Sequence, residues 1–92
     1  MADISITQRH TMPLEEARRA AQNVADELAK EFAISSRWEQ DILSFERTGV
    51  SGTLALRSAE AHLEIELGSM LKGFSSMIEE KLTRKMRGAF TV

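Results

Sequence analysis

Apolar and polar side chains alternate through residues 34–68, and this alternation constrains the fold more than any other feature of the chain. A period of two places the apolar side chains on one face of a strand and the polar side chains on the other. Turn residues interrupt the alternation at 39–41, 48–49 and 58–60, which divides the segment into four short strands. The pattern therefore predicts an antiparallel meander with one apolar face that must be covered.

Helical periodicity on both sides of the meander supplies that cover. Apolar residues in segment 11–32 recur at the spacing of a single helix face, and segment 69–90 shows the same rhythm, with Ser69 as the predicted N-cap. Residues 3–9 alternate and predict a first strand, which could flank either the second strand or the last. The predicted fold is α+β in the order β-α-β-β-β-β-α, an antiparallel sheet covered on one face by helices.

The length of 92 residues predicts a single domain, residues 1–92, whose small core a homodimer could supplement. Cysteine is absent, which excludes disulfides and thiolate metal sites. A net charge of −2 provides no field that would attract nucleic acid or an anionic membrane. No apolar run approaches the length of a membrane span and no signal-peptide pattern is present, so we expect a soluble, cytoplasmic protein.

Residues that could carry catalysis or bind a metal are few. The two histidines, His10 and His62, have no closely spaced histidine partner, although His62, Glu64 and Glu66 share one strand face. That row is either a solvated outer face or a cation or acid–base site, which makes His62 a weak functional candidate. Ser51 lies in GVSGT, which does not match the G-x-S-x-G nucleophile motif. We therefore expect no enzyme activity, no catalytic or metal-binding residues and no cofactor.

The segment FERTGVSGTLAL contains two glycines, Gly49 and Gly52, and a glycine-rich loop can either bind a phosphate or form a hairpin turn. A phosphate-binding loop leads into a helix, whereas strands are predicted on both sides of these glycines. We instead expect Arg47, Thr48 and Gly49 to form a hairpin turn in which Gly49 supplies a positive φ. Gly52 lies on the inward face, where its missing side chain would permit close approach by a helix or by Trp38.

Two surface features allow a functional interpretation. Arg18 lies at the edge of the apolar stripe of the first helix, where its stem would pack on the core or its guanidinium would contact a carboxylate or a ligand. Met70 and Met77 project beyond the stripe of the last helix, and Phe74 lies between them. These three side chains either fill the seam between the helices or form an exposed strip for a partner, a second copy or a hydrophobic particle.

Four segments, DISITQRH, EEARRAAQNVADELAKEF, LSFERTGVSGTLAL and LEIELGSMLKGFSSMIEEKL, together resemble the polyhydroxyalkanoic acid system protein family. The resemblance extends over nearly the full length, and its most specific part is the F-x-R-x-G-V-x-G run. The family is named for genes in the polyhydroxyalkanoate (PHA) granule region of bacteria. The resemblance thus implies an accessory role at storage granules, with the granule or its proteins as partners, and it implies no known activity.

Three functions follow from these observations. The first is a non-enzymatic accessory or binding protein of the PHA storage system, either granule-associated or regulatory. The alternative is a small-ligand or acyl-binding domain with a pocket between helices and sheet, since the alanine-rich face of the first helix and Gly52 leave room there. The third is a small hydrolase using His10 or His62, which ranks last because no nucleophile–base signature is present.

Overall fold

A computed structural model of the chain describes residues 2–90. The strands are β1 (Ile4–Arg9), β2 (Ser35–Glu39), β3 (Ile42–Arg47), β4 (Val50–Leu56) and β5 (Glu60–Leu67). The helices are α1 (Leu14–Phe32) and α2 (Ser75–Phe90), and a short 3-10 helix, Lys72–Phe74, precedes α2. This order confirms the predicted α+β fold with the sequence β-α-β-β-β-β-α.

The sheet has five antiparallel strands in the order β1-β5-β4-β3-β2. Strands β2 to β5 form the predicted meander, because each pairs with its neighbour in the chain. The sequence left the neighbour of β1 open, and the structure pairs β1 with β5, with Ile4 opposite Ile65 and Ile6 opposite Leu63. Helix α1 therefore connects the two opposite edges of the sheet.

The core lies between the apolar face of the sheet and the two helices. Small side chains dominate the buried stripe of α1 and let the helix approach the strands closely: Ala17, Ala20, Ala21, Val24, Ala25 and Leu28. The strands contribute the inward half of each alternation, and Leu43, Leu54 and Leu63 are completely buried at the centre. Both helices belong to one continuous apolar cluster with the sheet.

Helix α2 begins later than predicted. Ser69 is not its N-cap, because backbone bonds from Leu71 and Lys72 to the Gly68 carbonyl form a turn, and the 3-10 helix follows before α2 starts at Ser75. Gly73 in this segment has low helix propensity, which disfavours a regular first turn. At 1.5 Å per residue the 16 residues of α2 span about 24 Å. Its buried residues are Leu82, Met86 and Phe90, so none of the residues before Leu82 is buried.

The two hairpin glycines have different surroundings. Thr48 and Gly49 connect β3 to β4, and Gly49 has a φ of +85°, a conformation that side-chain-bearing residues rarely adopt. Gly52 lies opposite Ile65 on β5. A Cβ atom at Gly52 would overlap the carbonyl oxygen of Glu64 and come within 2.5 Å of Ile65 Cδ1. The close neighbour is thus strand β5, and the prediction of a helix or Trp38 in that place is wrong.

Candidate apolar binding site

Three apolar side chains in the first turn of α2 and in the segment just before it are exposed to solvent. The exposed fractions are 89% for Met70, 52% for Phe74 and 51% for Met77. We call these three residues the apolar strip. The interpretation that they fill the seam between the helices is therefore wrong. The structure has the alternative arrangement, in which the three side chains are exposed.

Charged side chains occupy the seam between the helices. Lys85 on α2 reaches across to α1, with its Nζ atom 3.2 Å from Glu27 Oε1 and 3.0 Å from Glu31 Oε1. One turn earlier on α2, Lys81 Nζ lies 5.8 Å from the centre of the Phe32 ring. Phe32 is the last residue of α1, so Met77, a further turn back, lies beyond the end of that helix. This geometry explains why the strip is uncovered.

The charges of the seam stabilise one another. Only 10% of the Lys85 side chain is exposed, and this burial by itself disfavours the charged form and would lower the pKa of Lys85. Hydrogen bonds to Glu31 and Glu27 outweigh that cost and raise the pKa of Lys85 above its usual 10.5. The hydrogen bond from Lys85 in turn lowers the pKa of Glu31 below its usual 4.5. Lys85 and Glu31 therefore both stay ionised over a wider pH range than they would in isolation.

An apolar cavity of about 270 Å³ lies beside the strip. Its floor is the end of the sheet, at Val50, Ile65 and Leu67, and its walls are the last turns of α1 and the first turns of α2. Phe74 and Met77 of the strip line it as well. The cavity lies where α2 begins late and where no residue of the helix before Leu82 is buried. This volume is just below the usual range for small-molecule sites, roughly 300–1,000 Å³.

Arg47 is the charged residue that lines this cavity. The alternation of β3 places Arg47 on the same inward face as the buried Leu43 and Phe45, at the end of the strand where the sheet leaves the core. Its side chain donates a hydrogen bond to the backbone carbonyl of Phe32, the final residue of α1. A cation suits this position because carbonyl groups give a helix C-terminus a partial negative charge.

Sequence reasoning assigned Arg47 to the turn and missed it as a site residue. The signal that would have found it is the period of two, which continues from Leu43 and Phe45 to Arg47. Arg47 is also the arginine of the F-x-R-x-G-V-x-G run. A guanidinium has five N–H donors, and within residues 2–90 the Phe32 carbonyl is its one hydrogen-bond acceptor.

Arg18 has a structural role at the other end of the sheet. Its guanidinium donates to the Gln40 carbonyl at 2.6 Å and lies 3.3 Å from Asp41 Oδ1. It also lies over the ring of Trp38, whose Nε1 donates to Gln22 Oε1 at 2.8 Å. Of the two interpretations of Arg18, the structure has the carboxylate contact, and this contact fastens α1 to the β2–β3 turn.

His62 belongs to a chain of three polar side chains on the outward face of the sheet. Its Nδ1 lies 2.7 Å from the Thr7 hydroxyl on β1, and its Nε2 lies 2.9 Å from Glu64 Oε2. A hydroxyl, an imidazole and a carboxylate follow one another as in a catalytic triad, but the two ring nitrogens are exchanged: in the triad the hydroxyl bonds Nε2 and the carboxylate bonds Nδ1. The three groups face away from the helices, however, on the side of the sheet opposite the apolar cavity.

The second histidine is not brought near the first. His10 is buried beside Phe90, with ring centres 5.5 Å apart, and its Nδ1 accepts a hydrogen bond from the Met12 amide. In the described part of the chain, residues 2–90, no three His, Asp or Glu side chains form a group that could hold a metal ion. Over the same residues, neither helix combines the length and the apolar character needed to cross a bilayer.

The comparisons with known proteins give one match. A family model described as "Putative polyhydroxyalkanoic acid system protein" covers residues 4–90. Comparison with curated proteins and with solved structures gave no match.

Proposed function

Because the chain belongs to the polyhydroxyalkanoic acid system protein family, we propose that it is a non-enzymatic accessory protein of PHA storage that binds the granule surface. The apolar strip is the observation that carries this proposal. Large apolar side chains clustered on a surface mark interaction sites, whereas single exposed ones are ordinary. A polyester granule presents an apolar surface to which such a strip can adsorb.

The chemistry of the strip suits a surface of variable shape. Met70 and Met77 are flexible and polarisable, so they adapt to a partner that lacks a fixed complementary form. Lys72 lies between them in the chain, its side chain is 62% exposed, and its Nζ atom lies 3.9 Å from Asp3 Oδ1. Adsorption would therefore bury apolar side chains while neighbouring charged groups stay in water.

A binding assay with protein-free PHA particles tests this proposal. We expect the chain to sediment with the particles. The variant Met70→Gln/Phe74→Gln/Met77→Gln is expected to bind roughly a hundredfold more weakly, since each substitution removes about 1 kcal/mol of apolar burial. The matched control is Leu14→Gln/Ile42→Gln, which removes two similarly exposed apolar side chains outside the strip. Equal loss of binding in both variants would show adsorption without a specific site and would overturn the proposal.

Localisation in cells provides a second test. We expect a fluorescent fusion to collect at granules while polyester accumulates, and the triple variant to remain diffuse in the cytoplasm. A wild-type fusion that stays diffuse throughout accumulation contradicts granule binding. Size-exclusion chromatography of the wild type and the triple variant shows whether the strip instead joins two copies of the chain. A wild-type dimer that the triple variant dissociates would also contradict granule binding.

A second candidate function is supported by the apolar cavity. A pocket between helices and sheet is what an acyl-binding domain requires, and the cavity lies in that place. Catalysis has weaker support, because the polar groups around His62 lie on the outward face of the sheet, on the side opposite the apolar cavity.

A further inference from the structure

We infer that the apolar cavity binds the alkyl chain of a carboxylic acid and that Arg47 binds its carboxylate. This inference rests on the second candidate function, and it is independent of granule adsorption. It concerns the cavity above the floor residues Val50, Ile65 and Leu67, which shares Phe74 and Met77 with the apolar strip but not Met70.

The lining of the cavity selects an alkyl chain. Apolar side chains form the floor and both walls, so a polar group placed inside would lose its hydrogen bonds to water without replacement. An alkyl chain placed there would remove both its own apolar surface and that of the lining from water. A volume of about 270 Å³ accommodates roughly eight to ten non-hydrogen atoms, if each occupies about the 30 Å³ of a liquid water molecule.

The charge at the cavity selects a carboxylate. Arg47 is the charged residue of the lining, and neither Asp nor Glu is among the residues that line the cavity. A guanidinium binds a carboxylate through two parallel hydrogen bonds, and such charge-assisted pairs are about twice as strong as neutral ones. The bond from Arg47 to the Phe32 carbonyl uses one N–H group and holds the guanidinium beside the cavity. An alkylamine would meet repulsion at the same place.

Titration of the full chain with straight-chain carboxylic acids tests the inference. Affinity is expected to rise roughly fourfold per methylene from butanoate onward, the value for burying one CH₂ group. The rise is expected to stop at about eight to ten carbons, when the cavity is full. The 3-hydroxy acids of the same lengths are a second series, and octanol and octylamine are the comparison ligands. All concentrations stay below micelle formation.

Three variants separate the two parts of the site. Arg47→Gln is expected to weaken octanoate binding roughly tenfold and to leave octanol binding unchanged, while Arg47→Lys retains part of the preference for the acid. Ile78→Phe, which enlarges a half-buried wall residue, is expected to weaken both ligands by filling the cavity. Thermal unfolding of each variant verifies that the fold is intact. Should Ile78→Phe fail to fold, the octanoate-to-octanol ratio of Arg47→Gln decides the question.

Three results would overturn the inference. The first is that no acid binds saturably, and the second is that Arg47→Gln and the wild type bind octanoate with equal affinity. The third is that the chain forms a dimer which Ile78→Phe dissociates, because a second copy of the chain would then occupy the cavity. Met70→Gln distinguishes this site from the granule site, because Met70 does not line the cavity. That variant is expected to weaken particle adsorption while octanoate affinity stays the same.

Discussion

The guanidinium carbon of Arg18 lies 4.2 Å from the centre of the Trp38 ring. This contact crosses from α1 to edge strand β2, and it is reinforced by the bond from Arg18 to the Gln40 carbonyl. Trp38 is the single tryptophan of the chain, so its fluorescence reports on this junction.

Replacement of Arg18 by Met keeps the aliphatic stem and removes the charge. We expect Arg18→Met to lower the free energy of unfolding by about 1–2 kcal/mol, the sum of a cation–π contact and a hydrogen bond. The emission spectrum of Trp38 is expected to shift as well. Arg19→Met, at the exposed neighbouring position, is the control and is expected to change neither quantity.

Replacement of Gly52 tests the close packing of β4 on β5. A side chain there would overlap the Glu64 carbonyl and Ile65, so Gly52→Val is expected to lower the free energy of unfolding by about 3 kcal/mol. Gly88→Ala in α2 is the control, since within residues 2–90 the added Cβ meets no atom within 4 Å apart from its chain neighbours and the backbone of its own helix. It is expected to stabilise the chain by up to about 1 kcal/mol through helix propensity. An unchanged melting temperature in Gly52→Val contradicts the packing described.

Two residues with positive φ make a reciprocal pair of tests. Gly49 has φ +85° and Ala33, which caps the C-terminus of α1, has φ +56°. We expect Gly49→Ala to destabilise the chain by about 1 kcal/mol, because a Cβ disfavours the left-handed region. Ala33→Gly is expected to relieve the same strain and to raise the melting temperature by a few degrees, about 4–8 °C per kcal/mol at this size. Opposite signs in thermal melts are the expected result.

The seam between the helices predicts a pH dependence. Glu31 has a lowered pKa, so its contribution to stability is present above its usual value of 4.5 and is lost as the pH falls through the lower folded pKa. Lys85 has a raised pKa, so its contribution is present below 10.5 and is lost as the pH rises through the higher folded pKa.

Lys85→Met removes this interaction while keeping a similar stem. The difference in melting temperature between wild type and Lys85→Met is therefore expected to be largest near neutral pH and to shrink below about pH 4. Arg84→Met is the control, because the pair of Arg84 with Glu80 is exposed on both sides and is expected to contribute little. A pH-independent difference for Lys85→Met would contradict a role for the ionised pair.

The alternation of residues 34–68 predicted the meander correctly because every strand there pairs with its neighbour in the chain, so local pattern and tertiary structure coincide. The partner of β1 could not be derived, since pairing of Ile4 with Ile65 depends on how α1 crosses the sheet. The late start of α2 was missed because Ser69 is a good N-cap by type, whereas the Gly68 turn determines the backbone.

The candidate site was likewise predicted only in part, because local sequence pattern shows which side chains share a face but not how the elements pack. Met70, Phe74 and Met77 were recognised from their angular position on a helix, but their exposure depends on where α1 ends. Arg47 was assigned to the turn although its position in the alternation is inward. The cavity forms because α1, α2 and the sheet do not pack completely against one another. The sequence pattern of any one of these elements does not show how closely it packs on the others.

The pairing of β1 with β5 joins residues more than fifty positions apart in the chain, whereas every other strand pairing in residues 2–90 joins consecutive strands. Hairpins close short loops quickly, and contacts between distant residues form late because their loop entropy is larger. We therefore expect the meander to assemble first and β1 to dock last and open first. Amide exchange should then be fastest along β1, while the cavity, which takes no residue from β1, keeps its walls during such openings.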